Sequence, residues 1–260
     1  MAESGAVEGF MGRLADRVAL ITGGSRGFGR ATALCFAAEG ADVVLAYRAA
    51  ESEAASVVAQ IERTGRQALA VRADVAHAGD TAALAEQALG AFGRVDILVN
   101  NAGIMDVAPF ATQDPATWTA MIDVNVYGML TLTRALLPSM TGRRAGRIIN
   151  LSSQLGHVGS ENFAVYSGTK GFVLAFTRSL AREVGPHGIT VNAICPGAIV
   201  TDMNRSIYPP ERQRTRAAEL PVRRMGDPDD IAKAALYLAS EDGRFMTGQC
   251  LDVNGGSVMV

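Results

Sequence analysis

Short apolar runs alternate with stretches of helical periodicity along almost the whole chain. Residues 18–22, 43–47, 68–71, 96–100, 147–151, 189–194 and 250–253 read as strands. Between them, residues 30–39, 52–63, 81–92, 115–140, 164–184 and 229–239 carry the apolar spacing of helices, several closed by a glycine such as Gly40, Gly65 or Gly93. The first strands lack a strict apolar–polar alternation, as expected where both faces of a sheet are covered. Strand and helix in steady alternation predict an α/β fold: a doubly wound sheet of about seven parallel strands flanked by helices on both faces. Residues 203–222 break the pattern. They hold Pro209, Pro210, Pro221 and many charges, and read as a mobile insertion after the sixth strand, where a substrate lid would sit.

Composition narrows the class. At 48% hydrophobic and 19% charged residues the chain is globular rather than disordered. Its formal charge of −2 argues against a nucleic-acid partner. No apolar run reaches the ~18 residues needed to span a bilayer, so no membrane partner is expected. Residues 1–13 carry Glu3 and Glu8, with neither a basic start nor an apolar stretch. They read as a loose tail rather than a signal peptide, and a cytoplasmic protein is expected. Cys35, Cys195 and Cys250 are odd in number and far apart, which excludes a disulfide framework; burial is the expected state of all three. His77, His157 and His187 have no ligand-spaced partner, so no metal site is expected.

Candidate chemistry begins right after the first strand, at Thr22-Gly23-Gly24-Ser25-Arg26-Gly27-Phe28-Gly29. Gly23, Gly27 and Gly29 remove Cβ atoms where backbone N–H groups and a helix N-terminus would approach a pyrophosphate. Glycines also serve ordinary turns, but here a strand precedes and a helix follows. A site for NAD usually ends its second strand in a carboxylate that accepts from the ribose hydroxyls. This chain has Tyr47-Arg48 there, and Arg26 inside the loop. Two solvated surface arginines are the plain alternative. Both at the decisive places favour a 2′-phosphate, hence NADP(H).

Tyr166 and Lys170 stand four apart in a helical segment and so share a face. A nearby ammonium stabilises a phenolate and lowers a tyrosine pKa, making the pair a general acid for a carbonyl or a base for an alcohol. The spacing also arises by chance on many helices. Ser152 and Ser153 end a strand at the sheet's carboxyl edge, where ligands bind in open α/β sheets, although serines also cap turns. Asn100-Asn101-Ala102-Gly103 follows another strand at the same edge. No G-x-S-x-G elbow follows a strand, which removes the motif of a serine hydrolase.

Taken together and in order, residues 22–29, Asn100 to Gly103, Ser153, and Tyr166 with Lys170 resemble the short-chain dehydrogenase/reductase family. The resemblance spans about residues 14–257 and is closest in look to the 3-oxoacyl-(acyl-carrier-protein) reductase group. It implies one Rossmann-type catalytic domain over residues 14–260 that reduces a ketone, a 3-oxoacyl thioester among the options, with NADP(H). It implies that Tyr166 donates the proton, Ser153 rather than Ser152 hydrogen-bonds the substrate, and Lys170 lowers the tyrosine pKa and holds the nicotinamide ribose. Asn125 would hold a water that relays protons to Lys170. Gly23, Ser25, Arg26, Gly27, Phe28 and Gly29 would form the cofactor loop, with Tyr47 and Arg48 beside it. Asp74 and Val75 would contact the adenine, Asn101, Ala102 and Gly103 would line the channel, and Pro196, Gly197, Ile199 and Thr201 would meet the nicotinamide end. The run from Arg224 to Gly256 suggests the family's homotetramer. Of two arginines that receive an acidic carrier protein, one matches at Arg144 and the other is His187. A sugar, steroid or polyketide alcohol dehydrogenase of the same family is the alternative, and a dinucleotide-sensing protein without turnover a more distant one.

Overall fold

The computed structural model describes residues 12–205 and 207–260. Among them lies a seven-stranded parallel sheet in the order β3-β2-β1-β4-β5-β6-β7. The strands are β1 (Val18–Thr22), β2 (Asp42–Tyr47), β3 (Ala68–Arg72), β4 (Ile97–Asn100), β5 (Gly146–Leu151), β6 (Ile189–Pro196) and β7 (Cys250–Val253). The helices of the first half are α1 (Gly27–Ala38), α2 (Glu51–Glu62), α3 (Ala78–Phe92), α4 (Pro115–Ile122) and α5 (Gly128–Arg143). Those of the second are α6 (Leu155–Val158), α7 (Ala164–Val184), α8 (Pro210–Glu219) and α9 (Pro228–Ala239). No helix among the described residues is long and apolar enough to cross a membrane.

The continuous apolar runs divide by alternate residues between two cores. Ala19, Ile21, Val43 and Leu45 face one side and pack with Phe36 of α1, Ile61 of α2 and Ile231 of α9. Leu20, Val44, Leu98 and Ile148 face the other and meet Leu84 of α3, Leu136 of α5 and Leu180 of α7. All of these side chains are excluded from water or nearly so. At roughly 1.5–3 kcal/mol for each large side chain buried, the two cores supply most of what drives the chain to this shape.

Three expectations change. The helix expected over residues 115–140 is two helices joined by a π turn at Asp123–Tyr127. The expected insertion holds α8, a helix with no buried residue, which is why no apolar periodicity marked it. Cys35 and Cys250 are only partly buried, and Cys195 alone is enclosed. Of the expected tail, residues 1–11 lie outside the described residues. Arg13 belongs to the folded body, its backbone N–H donating to Glu39 Oε2 at 2.9 Å.

Asp96 fastens the end of the sheet opposite the site. Its carboxylate accepts from Val18 N at 2.9 Å, Arg94 Nε at 3.0 Å and Arg143 Nη1 at 2.6 Å. It thereby joins the starts of β1 and β4 to the end of α5. Asp96→Ala strands the buried Val18 donor and leaves both guanidinium groups without their carboxylate, at a cost of about 3 kcal/mol. Thermal unfolding should show a midpoint about 6–12 °C lower; an unchanged midpoint would mean that the carboxylate only decorates the edge.

Candidate active site

Polar residues gather at the carboxyl edge of the sheet, where each strand hands over to a loop. After β1, Gly23 and Gly27 take positive φ angles of 63° and 54°, which a residue with a Cβ adopts reluctantly. A Cβ on Gly29 would lie 2.2 Å from the Gly23 carbonyl oxygen, so the start of α1 closes directly on the loop. The N-cap of α1, Arg26, makes no side-chain cap, and the first turn holds no acidic residue. The free N–H groups there, at the positive end of the helix dipole, suit an anion.

A cleft of about 600 Å³ opens over this loop. Gly23, Ser25, Arg26, Gly27 and Phe28 form its floor, and Tyr47 and Arg48 flank it at the end of β2. Asp74 and Val75 close the far side, and Asn101, Ala102 and Gly103 the near one. The Arg48 side chain is 65% exposed and stands 3.9 Å from Asp74, so its guanidinium is open to a further anion. Phe28, Met105, Thr201 and Met203 also line a second cleft of about 670 Å³. That second space holds Ser153, Tyr166, Pro196, Gly197 and Ile199, with Val107, Leu155 and Phe163 as apolar wall.

Where the clefts adjoin, the loop after β4, the π turn, the end of β5 and helix α7 bring Gly103, Asn125, Ser153 and Tyr166 with Lys170 close together. A Cβ on Gly103 would lie 3.3 Å from Asn125 Oδ1 and 3.5 Å from Lys170 Nζ. Lys170 Nζ is buried, donates to the Leu151 carbonyl at 2.8 Å, and sits 5.7 Å from the centre of the Tyr166 ring. Ser153, just past β5, accepts from Leu155 N at 3.1 Å and lines the same cleft as the Tyr166 phenol. Asn125 lies inside the π turn. Its side chain accepts from Ile104 N at 2.8 Å and donates to Ile104 O at 2.9 Å and Thr169 Oγ1 at 3.1 Å.

Electrostatics here run against one expectation. Burial pushes the Tyr166 phenol up to about 12, and the Ser153 hydroxyl draws it only part of the way back. The same loss of water brings Lys170 down to about 8. In the free protein desolvation dominates at Tyr166, and the phenol stays neutral.

The sequence-derived set is thus brought together, with Gly29, Asn125 and Lys170 one layer behind the cleft surface. Arg144 is placed elsewhere. It precedes β5 at the opposite edge, donates to the Pro186 carbonyl at 2.8 Å beside His187, and lies a strand length of about 20 Å from Ser153. Tyr208 and Arg212 of the insertion, 5.8 Å apart, line the second cleft and were missed. Their only signal was the basic run at Arg212, Arg214 and Arg216.

The comparisons agree with this geometry. A family model described as enoyl-(acyl carrier protein) reductase matches residues 23–258. A 3-oxoacyl-(acyl-carrier-protein) reductase of Synechocystis sp. is 39% identical over 250 residues, covering 96% of this chain and 100% of its own length. An uncharacterised oxidoreductase of Mycobacterium tuberculosis is 44% identical over 95% of this chain and 94% of its own. Among solved structures, a blue fluorescent protein from a metagenomic library in complex with NADPH has a TM-score of 0.89 at 38% identity, covering 95% of this chain and 100% of the other. A mutant short-chain dehydrogenase/reductase of Serratia marcescens has a TM-score of 0.88 at 33% identity, covering 94% and 98%.

Lys170 binds its proton less tightly when folded, so between about pH 8 and 10.5 the unfolded chain carries more protons. Stability must rise with pH through that window. Denaturant titrations of the wild type and Lys170→Met, from about pH 7 to 10, should show the wild-type midpoint climbing relative to the variant. Parallel curves would mean that Lys170 titrates as an ordinary lysine.

Proposed function

We propose, for a chain that belongs to the short-chain dehydrogenase/reductase family, that it uses NADPH to reduce a ketone to a secondary alcohol. The observation that carries this reading is the placement of Ser153 and Tyr166 on the wall of one cleft, with Lys170 5.7 Å from the Tyr166 ring, beside a second cleft lined by a dinucleotide-type glycine loop. The residues fit the cofactor. The uncapped start of α1 and the Cβ-free loop suit a pyrophosphate, and Arg26 and Arg48 suit a 2′-phosphate. Asp74 and Val75 would hold the adenine. Asn101 to Gly103, Pro196, Gly197, Ile199 and Thr201 would hold the nicotinamide end. The NADPH complex of the metagenomic relative supports the same choice.

NADPH, when bound, supplies the hydride. The chain's part is to polarise and protonate the carbonyl. Tyr166, whose phenol desolvation pushes up to about 12, is the proton donor to the carbonyl oxygen. Ser153 hydrogen-bonds that oxygen and the phenol together, setting the line of transfer. The Lys170 ammonium, fixed on the Leu151 carbonyl, stabilises the tyrosinate as it forms. Asn125 ties Ile104 and Thr169 to the π turn and so holds the floor beneath Lys170. In the reverse direction Tyr166 is the base.

The apolar wall of Val107, Leu155, Phe163 and Met203 suits a substrate with a hydrocarbon portion, a 3-oxoacyl thioester or another ketone. Residues 14–260 form one catalytic domain in this reading, with 203–222 as the substrate-side insertion. The homotetramer belongs to it too: Phe172 and Phe245 are exposed apolar rings, 41% and 99% accessible, that further copies of the chain would cover.

With 3-oxoacyl thioesters and cyclic ketones as substrates, Tyr166→Phe should lower kcat by about 10²–10⁴-fold while NADPH binding, read by fluorescence, stays near wild type. Near-normal turnover would remove Tyr166 as the acid. Arg48→Asp replaces an attractive group by a repulsive one, and should weaken NADPH roughly 10- to 100-fold without weakening NADH. Equal loss for both cofactors would place Arg48 in folding rather than in cofactor choice.

A further inference from the structure

Three side chains far apart in sequence close on one point behind the active-site wall: His157 on α6, Cys195 on β6 and Asp252 on β7. An imidazole nitrogen, the thiol sulfur and a carboxylate oxygen all lie within 4.8 Å of one another. His157 Nε2 faces Asp252 Oδ1 at 3.4 Å. Neither atom has a hydrogen-bond partner, although both are buried. The His157 side chain is only 10% exposed, so water does not satisfy it from outside.

The geometry suits a shared cation. Tetrahedral bonds of about 2.0–2.3 Å separate adjacent ligand atoms by about 3.3–3.8 Å, and the His157–Asp252 distance falls in that range. Sheet register supplies a candidate fourth ligand. Cys250 pairs with Ala193 and Asp252 with Cys195, so Cys195, Cys250 and Asp252 share one face of the sheet. Cys195 and Cys250 are offset by two residues across neighbouring strands. Their Cα atoms are therefore about 8 Å apart, beyond the span of a disulfide. A nitrogen, sulfur and oxygen donor set selects a zinc-like ion over magnesium or calcium, which take oxygen alone.

We propose that His157, Cys195 and Asp252 form a binding site for a zinc-class divalent cation, with Cys250 or water in the fourth position. As the sulfur–metal bond forms, the Cys195 proton passes to solvent. Asp252, with 22% of its side chain exposed, marks the way in. None of the groups assigned to proton transfer is a ligand, so the site stands independently of the proposed reduction. Its effect is a brace: it pins α6, the turn that follows Ser153 and Gln154, to the last two strands.

Cobalt(II) is the probe, titrated into the tag-free full-length chain after treatment with chelator and thiol reductant. The expected result is one cobalt per chain, with a thiolate-to-cobalt charge-transfer band and the visible bands of tetrahedral coordination, both abolished by added zinc. Cys195→Ser should weaken the charge-transfer band, and abolish it when made together with Cys250→Ser, while keeping the wild-type circular dichroism. Asp252→Asn, a milder change, should weaken cobalt binding about tenfold or more, and decides the matter should Cys195→Ser fail to fold. The proposal is overturned by a wild type without the thiolate band, by a band undiminished by Cys195→Ser, or by wild-type affinity in Asp252→Asn.

Discussion

Everything at the carboxyl edge depends on how β1 and β4 are stitched together. The sheet reverses its order between these strands, so their loops diverge to opposite faces and a crevice opens. Thr22 Oγ1 accepts from the backbone of Asn101 and Ala102 at 3.0 and 2.9 Å. The Asn101 side chain returns the bond, donating to the carbonyls of Thr22 at 2.7 Å and Gly23 at 3.2 Å. With those carbonyls satisfied, the loop presents N–H groups to the crevice rather than oxygens. The same clasp fixes Gly103, against which Asn125 and Lys170 are set.

A second constraint is the withdrawal of water from the proton-handling groups. Burial acts on Tyr166 and Lys170 in opposite directions because it penalises charge of either sign. At rest the phenol is firmly neutral. In the proposed reaction it becomes tyrosinate beside a fixed ammonium, in a place where water screens the attraction poorly. The phenol is thus held in its proton-bearing form, and in the proposed reaction the nearby ammonium offsets part of the cost of the charge that appears.

Much of this was legible in the chain. Strands such as Val18–Thr22 and Cys250–Val253 stand out because apolar runs are short and bounded by glycines. The glycine loop, Tyr166 with Lys170, and Ser153 are legible because their roles need particular residue types at fixed local spacings. What escaped depends on the third dimension. The exposed face of α8 leaves no apolar stripe to detect. The break between α4 and α5 is a hydrogen-bond shift that leaves composition untouched. His157, Cys195 and Asp252 are joined by strand order, not by spacing. The pKa of Tyr166 follows from how much water its hydroxyl loses, a quantity that residue types four apart do not contain.

The π turn at Asp123–Tyr127 carries a consequence for phase. One residue more than an α-turn advances the side chains that follow by about 100°. The stripe of α4 and that of α5 therefore look in different directions, although the axis runs on. Met121 is buried before the turn, and Leu132 and Leu136 after it. The extra residue works as a rotational offset written into chain length. Deleting any single residue from the turn would restore a plain helix, and every side chain upstream would swing to a new bearing relative to the sheet. Length, and not only identity, is thus what aims Asn125 at Ile104.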